Sequence, residues 1–272
     1  MTVAIALFRK NLRDARWMLA ILVVALFGLS WLFVHVAHKM EQAILKGSGA
    51  RSMRMLRGLG GEAMDFSTTA IEMTFWKDPS ILLMFAIWAI ARGSGAVAGE
   101  MEKGSMDLIL SRPVARTTFF GSQVATATFG LILMVAAMIA GNWVGTRYNT
   151  VDAAPSLSTL LRPGLNLVAF GFAIYGYTAM LSAGDIVRWR PNLIASVATL
   201  AMFIFQVISN IPQLEGWKWL EHITIFEAVN PVEAAVKGQT LAFNAGILGG
   251  VGLIGLIVGL AIFNWRDLPA GS

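Results

Sequence analysis

Two histidines, His35 and His38, sit three residues apart with Met40 close behind them. The two imidazoles, at i and i+3, could share a metal with the Met40 thioether as an N/S set of the kind copper accepts. His222 is the only other histidine, no H-E-x-x-H pattern occurs and the chain has no Cys. We therefore read the pair as histidines at headgroup depth, holding no metal. Gly99-x4-Gly104-Ser105 has the outline of a phosphate-binding loop, but that motif needs Lys between the glycine and the hydroxyl, and here Lys103 precedes Gly104. No nucleotide site is expected in this chain. Paired carboxylates and Ser/His/Asp sets are also missing, so no catalytic site is expected.

The charged side chains concentrate instead between Gly99 and Arg116. Ser105 can cap a short helix, Asp107 suits its positive end, and Arg112 lies at its negative end just before the Pro113 stop. Met106, Ile109 and Leu110 then form an apolar face flanked by charge. Such a helix can fill a groove on a soluble partner. The plainer alternative is a helix resting on lipid headgroups.

The elements that position this stretch follow from composition. Of 272 residues, 56 % are AVILMFWYC and only 14 % are charged, against about 25 % in a soluble domain. Too few charges remain to coat a water-facing surface, and disorder is excluded by the same hydrophobicity. The +5 net charge includes no basic block, so it reads as membrane-topology charge and not as a nucleic-acid footprint. Distances between charges predict an all-α, single-domain polytopic protein with six spans, at about 17–38, 79–98, 118–145, 164–184, 192–212 and 243–264. The second is admitted with Arg92 near its end, where a long side chain can reach the headgroups.

Asp78-Pro79 reads as an N-cap with proline in the first turn, and Pro163 and Pro191 also open spans. Gly246/Gly250 and Gly255/Gly259 are small-xxx-small pairs suited to close packing in the last span. No span core holds Asp or Glu, which argues against an ion-driven pump. Asn142, Asn166, Gln206 and Asn210 are read as hydrogen-bonding groups between helices.

Six spans place both termini on one side. That side carries 11 Lys/Arg in 55 residues, against 10 in 79 on the other, so the termini are expected in the cytoplasm. The first span exceeds a signal-peptide core and lacks an A-x-A-like site, so it is expected to be a permanent anchor. Residues 3–16 space apolar positions 5, 8 and 12 against basic 9, 13 and 16, as in an interfacial helix that turns into the first span. The inner loop is 99–117 and the outer loops are 39–78, 147–162 and 213–242. Within them, 66–76 suits a short amphipathic helix, and the Trp217/Trp219 region suits a re-entrant or interfacial hairpin.

The inner loop and its surroundings resemble the permease subunits of type-2 ATP-binding-cassette transporters. The resemblance runs through Gly95-Ala96-Val97-Ala98-Gly99-Glu100, Glu102-Lys103-Gly104-Ser105, Leu108-Ile109-Leu110 and Ser111-Arg112-Pro113-Val114-Ala115-Arg116. Asn230-Pro231 before the last span is a second, weaker element. Ser105 stands where Thr is commoner and keeps the capping hydroxyl. The resemblance implies an inner-membrane exporter in which 99–117 is the coupling helix that docks on a separate ATPase subunit, where ATP and Mg would bind. It also implies an amino-terminal elbow helix, a second permease chain as a homodimer, and a substrate path between the two. Within the family the sequence looks closest to the branch of the nitrous-oxide-reductase maturation permease, which serves a copper site. Two other classes stand beside this reading. One is a non-transporting scaffold or sensor that binds a periplasmic partner through 39–78 and 215–237. The other is an intramembrane enzyme acting on lipid.

Overall fold

The computed structural model describes residues 2–45, 73–104, 106, 114–149, 155–211, 213, 215–236 and 241–266, and every regular element among them is a helix. Helix α1, Thr2–Leu45, runs for 44 residues, about 66 Å at 1.5 Å per residue. The expected turn between an elbow and the first span is not there. No Gly or Pro lies between Val3 and Arg16, and the side chain of Asn11 is held by Ser122 and Gln123. Nothing therefore caps or breaks the helix, and it continues through both segments.

Helix α2, Pro79–Gly95, begins as its sequence suggests, with Asp78 accepting from the Ser80 N–H at 2.8 Å. It ends three residues short of the expected boundary, at a turn through Ala96 and Val97, and α3 (Ala98–Glu102) follows. Ser182, fully buried near the end of the later helix Leu157–Ala183, explains the break. Its hydroxyl accepts from the Val97 and Ala98 N–H groups at 3.2 and 3.0 Å and donates to the Ser94 carbonyl at 3.0 Å. A side chain from another helix thus replaces the bond that would have run from Ala98 back to Ser94.

Helix α4 is Arg116–Tyr148, α5 Leu157–Ala183 and α6 Trp189–Ser209. A 3-10 helix, Glu215–Ile223, and a turn at 225–228 lead to the short α7, Pro231–Val236, and then to α8, Leu241–Trp265. Pro163 does not open its helix but lies inside it. The start is set earlier by Ser156, whose hydroxyl accepts from the Thr159 N–H at 3.3 Å. Ser156→Ala should cost about 1 kcal/mol of stability, read as a small fall in the thermal midpoint of the detergent-solubilised chain. The expected hairpin at 213–242 is occupied by the 3-10 helix and α7. Of the expected helix at 66–76 only the end is described. There Met73 and Trp76 are buried, and Phe75 stacks on Phe33 of α1 with ring centroids 4.8 Å apart.

Among the described residues five helices, α1, α4, α5, α6 and α8, are long and apolar enough to cross a membrane; α2, at 17 residues, is a shorter apolar helix. The chain is a multi-pass membrane protein. Helix α5 is the hub of the bundle, with α2, α4, α6, α7 and α8 packed on it, while α1 packs mainly along α4. Small residues bring the axes close. A Cβ at Gly176 of α5 would lie 2.3 Å from the Gly252 carbonyl oxygen of α8, and one at Gly141 of α4 would lie 2.3 Å from the Phe27 carbonyl oxygen of α1. The α8 contact face is Leu248, Gly252, Gly255, Gly259 and Phe263. Gly246 and Gly250, paired by the sequence reading, lie on the other side of the helix, where an added Cβ would meet nothing.

Candidate functional site

The inner loop joins the bundle through a polar junction built from four separate stretches of chain. Glu100 lies in the first turn of α3 and is 5 % exposed. A carboxylate at that depth requires a partner, and Lys10 of α1 supplies one, its Nζ donating to Oε2 at 2.6 Å. Glu102, two residues on and exposed, accepts from the Arg188 backbone N–H at 3.0 Å. Arg188 belongs to the linker between α5 and α6. Its guanidinium reaches back over Gly95 to donate to the Ala91 carbonyl at 3.0 Å, and its stem covers Gly99. A Cβ at Gly99 would already press on the Arg188 Cδ, at 3.3 Å.

Arg92 does not snorkel. It turns inward and donates to Gln123 of α4 at 3.0 Å; Gln123 donates to Asn11 of α1 at 3.4 Å, and Asn11 to Ser122 at 3.3 Å. Asp14 and Glu100 add favourable charge around the guanidinium. These groups enclose a small cavity of about 40 Å³ bounded by Asn11, Arg92, Glu100, Gln123 and Arg188. The inward pose follows from what surrounds Arg92: the Gln123 acceptor and the charges of Asp14 and Glu100.

Of the loop residues singled out in the sequence, Glu100, Glu102, Lys103, Gly104, Met106 and Arg116 are described. Gly104 has φ +65°, the left-handed conformation that glycine tolerates best, and its N–H bonds the Met101 carbonyl to close α3. Lys103 is exposed and Met106 is buried. Arg116 opens α4 and is drawn away from the loop. Its Nη1 donates to the Phe263, Asn264 and Arg266 carbonyls at 2.7, 3.1 and 2.9 Å, covering the acceptors at the end of α8. Ser105, Asp107, Leu108, Ile109, Leu110, Arg112 and Pro113 lie outside the described residues.

Beside the junction, Asp185 accepts from the Ile186 and Val187 N–H groups at 2.7 and 3.1 Å, with Arg190 3.9 Å away. Slight burial raises its pKa, but the two N–H donors and the Arg190 and Arg266 charges outweigh it, and the carboxyl sits below the usual Asp range. A lowered pKa makes the stabilising contribution of the group fully present at neutral pH and lost as pH falls through the folded value.

The other candidates are dispersed. His35 pairs with Asn149 of α4 at 2.7 Å, and His38 pairs with Gln42 at 2.8 Å, so the two rings have separate partners. Among the described residues no group of three or more His, Asp or Glu is placed to hold a metal. Pro231 opens α7, and the Asn230 carbonyl accepts from the Ala234 N–H at 3.0 Å. Asn166 and Gln206 do bridge elements: Asn166 donates to the Ala228 carbonyl at 3.0 Å and Gln206 to Glu227 at 2.8 Å.

Sequence reasoning missed Asn11, Gln123, Ser182 and Arg188. For Asn11 a signal was present, because it falls in register with Ala15, Leu19, Leu22 and Leu26, the buried stripe of α1. A second feature had no sequence signal at all. A cleft of about 480 Å³ runs between α2 and α6, from Pro79 to Ala91 on one wall and from Asn192 to Phe203 on the other. Its walls are apolar apart from Asn192, Ser196 and Thr199, and Phe226 closes one end, packed edge-on against Phe170 and Phe203 with centroids 5.1 and 5.5 Å away.

Compared with known proteins, residues 8–264 match the family model described as "Multidrug efflux system permease Rv1217c, C-terminal domain". No curated protein matches the chain.

Proposed function

Because the chain belongs to the family of the multidrug efflux system permease Rv1217c, C-terminal domain, we propose that it is the membrane-spanning permease subunit of an ATP-binding-cassette exporter. Both termini and the 99–117 loop face the cytoplasm, α2 crosses as the second of six spans, and a second copy of the chain completes the transport unit in the inner membrane. A separate ATPase subunit binds ATP and Mg, hydrolyses the nucleotide and docks on the loop. The observation that carries this reading is how the loop is rooted. Glu100 holds α1 through Lys10, and Glu102 holds the start of α6 through the Arg188 N–H.

A push on the loop therefore reaches two helices at once, and α6 is one wall of the apolar cleft. Moving α6 against α2 changes the width of that cleft and alternates access to it. An apolar cleft of this size with three small polar groups suits a hydrophobic or amphipathic cargo. That favours drug-like molecules, in keeping with the multidrug efflux permease family whose model the chain matches.

The test is to produce the chain with the ATPase encoded beside its gene, and to measure co-purification, ATPase activity and efflux of a hydrophobic dye. Glu102→Lys combined with Asp107→Lys should lower the association about tenfold, a change of 1.4 kcal/mol. Ser196→Trp, which fills the cleft, should cut efflux while leaving the association intact. Unchanged association in the charge-reversed protein overturns the coupling assignment, and unchanged efflux in Ser196→Trp overturns the cleft.

A further inference from the structure

Arg9, Arg13 and Arg16 are all exposed, and their spacing of four and three residues puts them in one stripe along α1. Lys10 and Asn11 point elsewhere, to Glu100 and Ser122. Among the described residues none of the three arginines meets a carboxylate; Arg16 instead lies over the ring of Trp17, at 5.3 Å. Because α1 does not bend, the same face continues without interruption into the apolar segment, where Val24 is 69 % and Phe27 37 % exposed. Beside the stripe runs a shallow groove of about 540 Å³, lined by Ile5, Ala6, Arg9, Lys10, Arg13 and Asp14. The one acidic group there, Asp14, also borders the cavity around Arg92.

We infer that this face of α1 is a binding site for an anionic phospholipid, with the phosphate-bearing headgroup on Arg9, Arg13 and Arg16 and an acyl chain along Val24 and Phe27. Three cations that form no ion pair among the described residues outweigh the single Asp14 carboxylate nearby and supply the complementarity to a phosphate, and guanidiniums bind phosphate by paired N–H donation. The arginine stripe spans about 10 Å of helix axis, the depth of a headgroup layer and its approach. The apolar surface directly below it distinguishes a lipid from a soluble acidic partner, which would have no use for Val24 and Phe27. Trp17, 71 % exposed, marks the boundary between the two zones. The site does not depend on whether the chain works with an ATPase.

The experiment is native mass spectrometry of the purified full chain in detergent with equal amounts of phosphatidylglycerol and phosphatidylcholine. The unaltered chain should retain phosphatidylglycerol about tenfold over phosphatidylcholine. R9Q/R13Q/R16Q should bring that ratio close to one, R9K/R13K/R16K should keep most of it, and Arg147→Gln at the far end of α4 should leave it unchanged. Equal retention of the two lipids by the unaltered chain overturns the inference even if the triple Gln variant does not insert. A preference that survives the triple Gln substitution overturns it, as does displacement of the lipid by soluble glycerol phosphate. If the triple Gln variant loses the ATPase and keeps the lipid preference, the stripe belongs to a protein interface and the inference fails.

Discussion

Gly176→Val is expected to destabilise the bundle by about 3 kcal/mol or more, at or beyond the upper end of ordinary overpacking, while Gly250→Val leaves it folded with a nearly unchanged midpoint. At Gly176 even a single Cβ would stand 2.3 Å from the Gly252 oxygen and 2.6 Å from its Cα. Both are backbone atoms, so no rotamer change can relieve the clash and α5 must part from α8 along its length. In lipid, helix association relies on close van der Waals approach and not on a hydrophobic driving force, so that separation forfeits the packing itself. Gly250 is on the same helix as Gly252, yet a Cβ there meets nothing. Thermal unfolding of the two variants in one detergent decides the matter. Similar midpoints for both would mean that α5 and α8 do not pack through Gly176.

Lys10→Met should cost more than Glu100→Gln, although the two substitutions remove the same ion pair. The Glu100 side chain is 6 % exposed and that of Lys10 is 40 % exposed. Removing the lysine deprives a buried carboxylate of its ion-pair partner. Losses from breaking a buried pair are typically about 3–5 kcal/mol, and we place this one near 3 because one end of the pair reaches solvent. Removing the glutamate charge leaves an ammonium that can turn to water, at about 1 kcal/mol. The double substitution should cost less than the sum, since no buried carboxylate then loses an ion pair. Melting curves of the three proteins form a double-mutant cycle. Equal losses for the two single variants would contradict the burial asymmetry. Under the proposed function, Lys10→Met should also lower ATP-dependent efflux, because one of the loop's two described ties to the bundle is then lost.

The sequence was legible where a signal was local and failed where a distant residue decided. Asp78-Pro79 states the start of α2 in two residues, and the +65° turn at Gly104 follows from the only glycine after α3 that could close it. Runs of uncharged residues locate the spans but not their ends. Helix α1 passes through Arg9, Lys10, Arg13 and Arg16, because charge does not end a helix and no breaker was present. Pro163 is compatible with a helix start, but Ser156 offers a real cap upstream. The inward turn of Arg92, the glycine face of α8 and the end of α2 at Gly95 depend on Gln123, Gly176 and Ser182, each contributed by another helix. Spacing within one segment carries no record of such partners. The short helix read between Ser105 and Pro113 lies outside the described residues.

The hydroxyl of Ser182 at the gap between α2 and α3 has a mechanical consequence. A continuous helix resists bending through its whole ladder of backbone bonds, whereas this joint is held by three bonds to one oxygen. At about 1 kcal/mol apiece, releasing them costs about as much as separates two states of a working protein. The joint is therefore softer than the helices on either side of it, and its stiffness is set by α5, which supplies the hydroxyl, and by Arg188, which spans from the Ala91 carbonyl to Gly99. The bundle has in effect a compliant axle next to a stiff one.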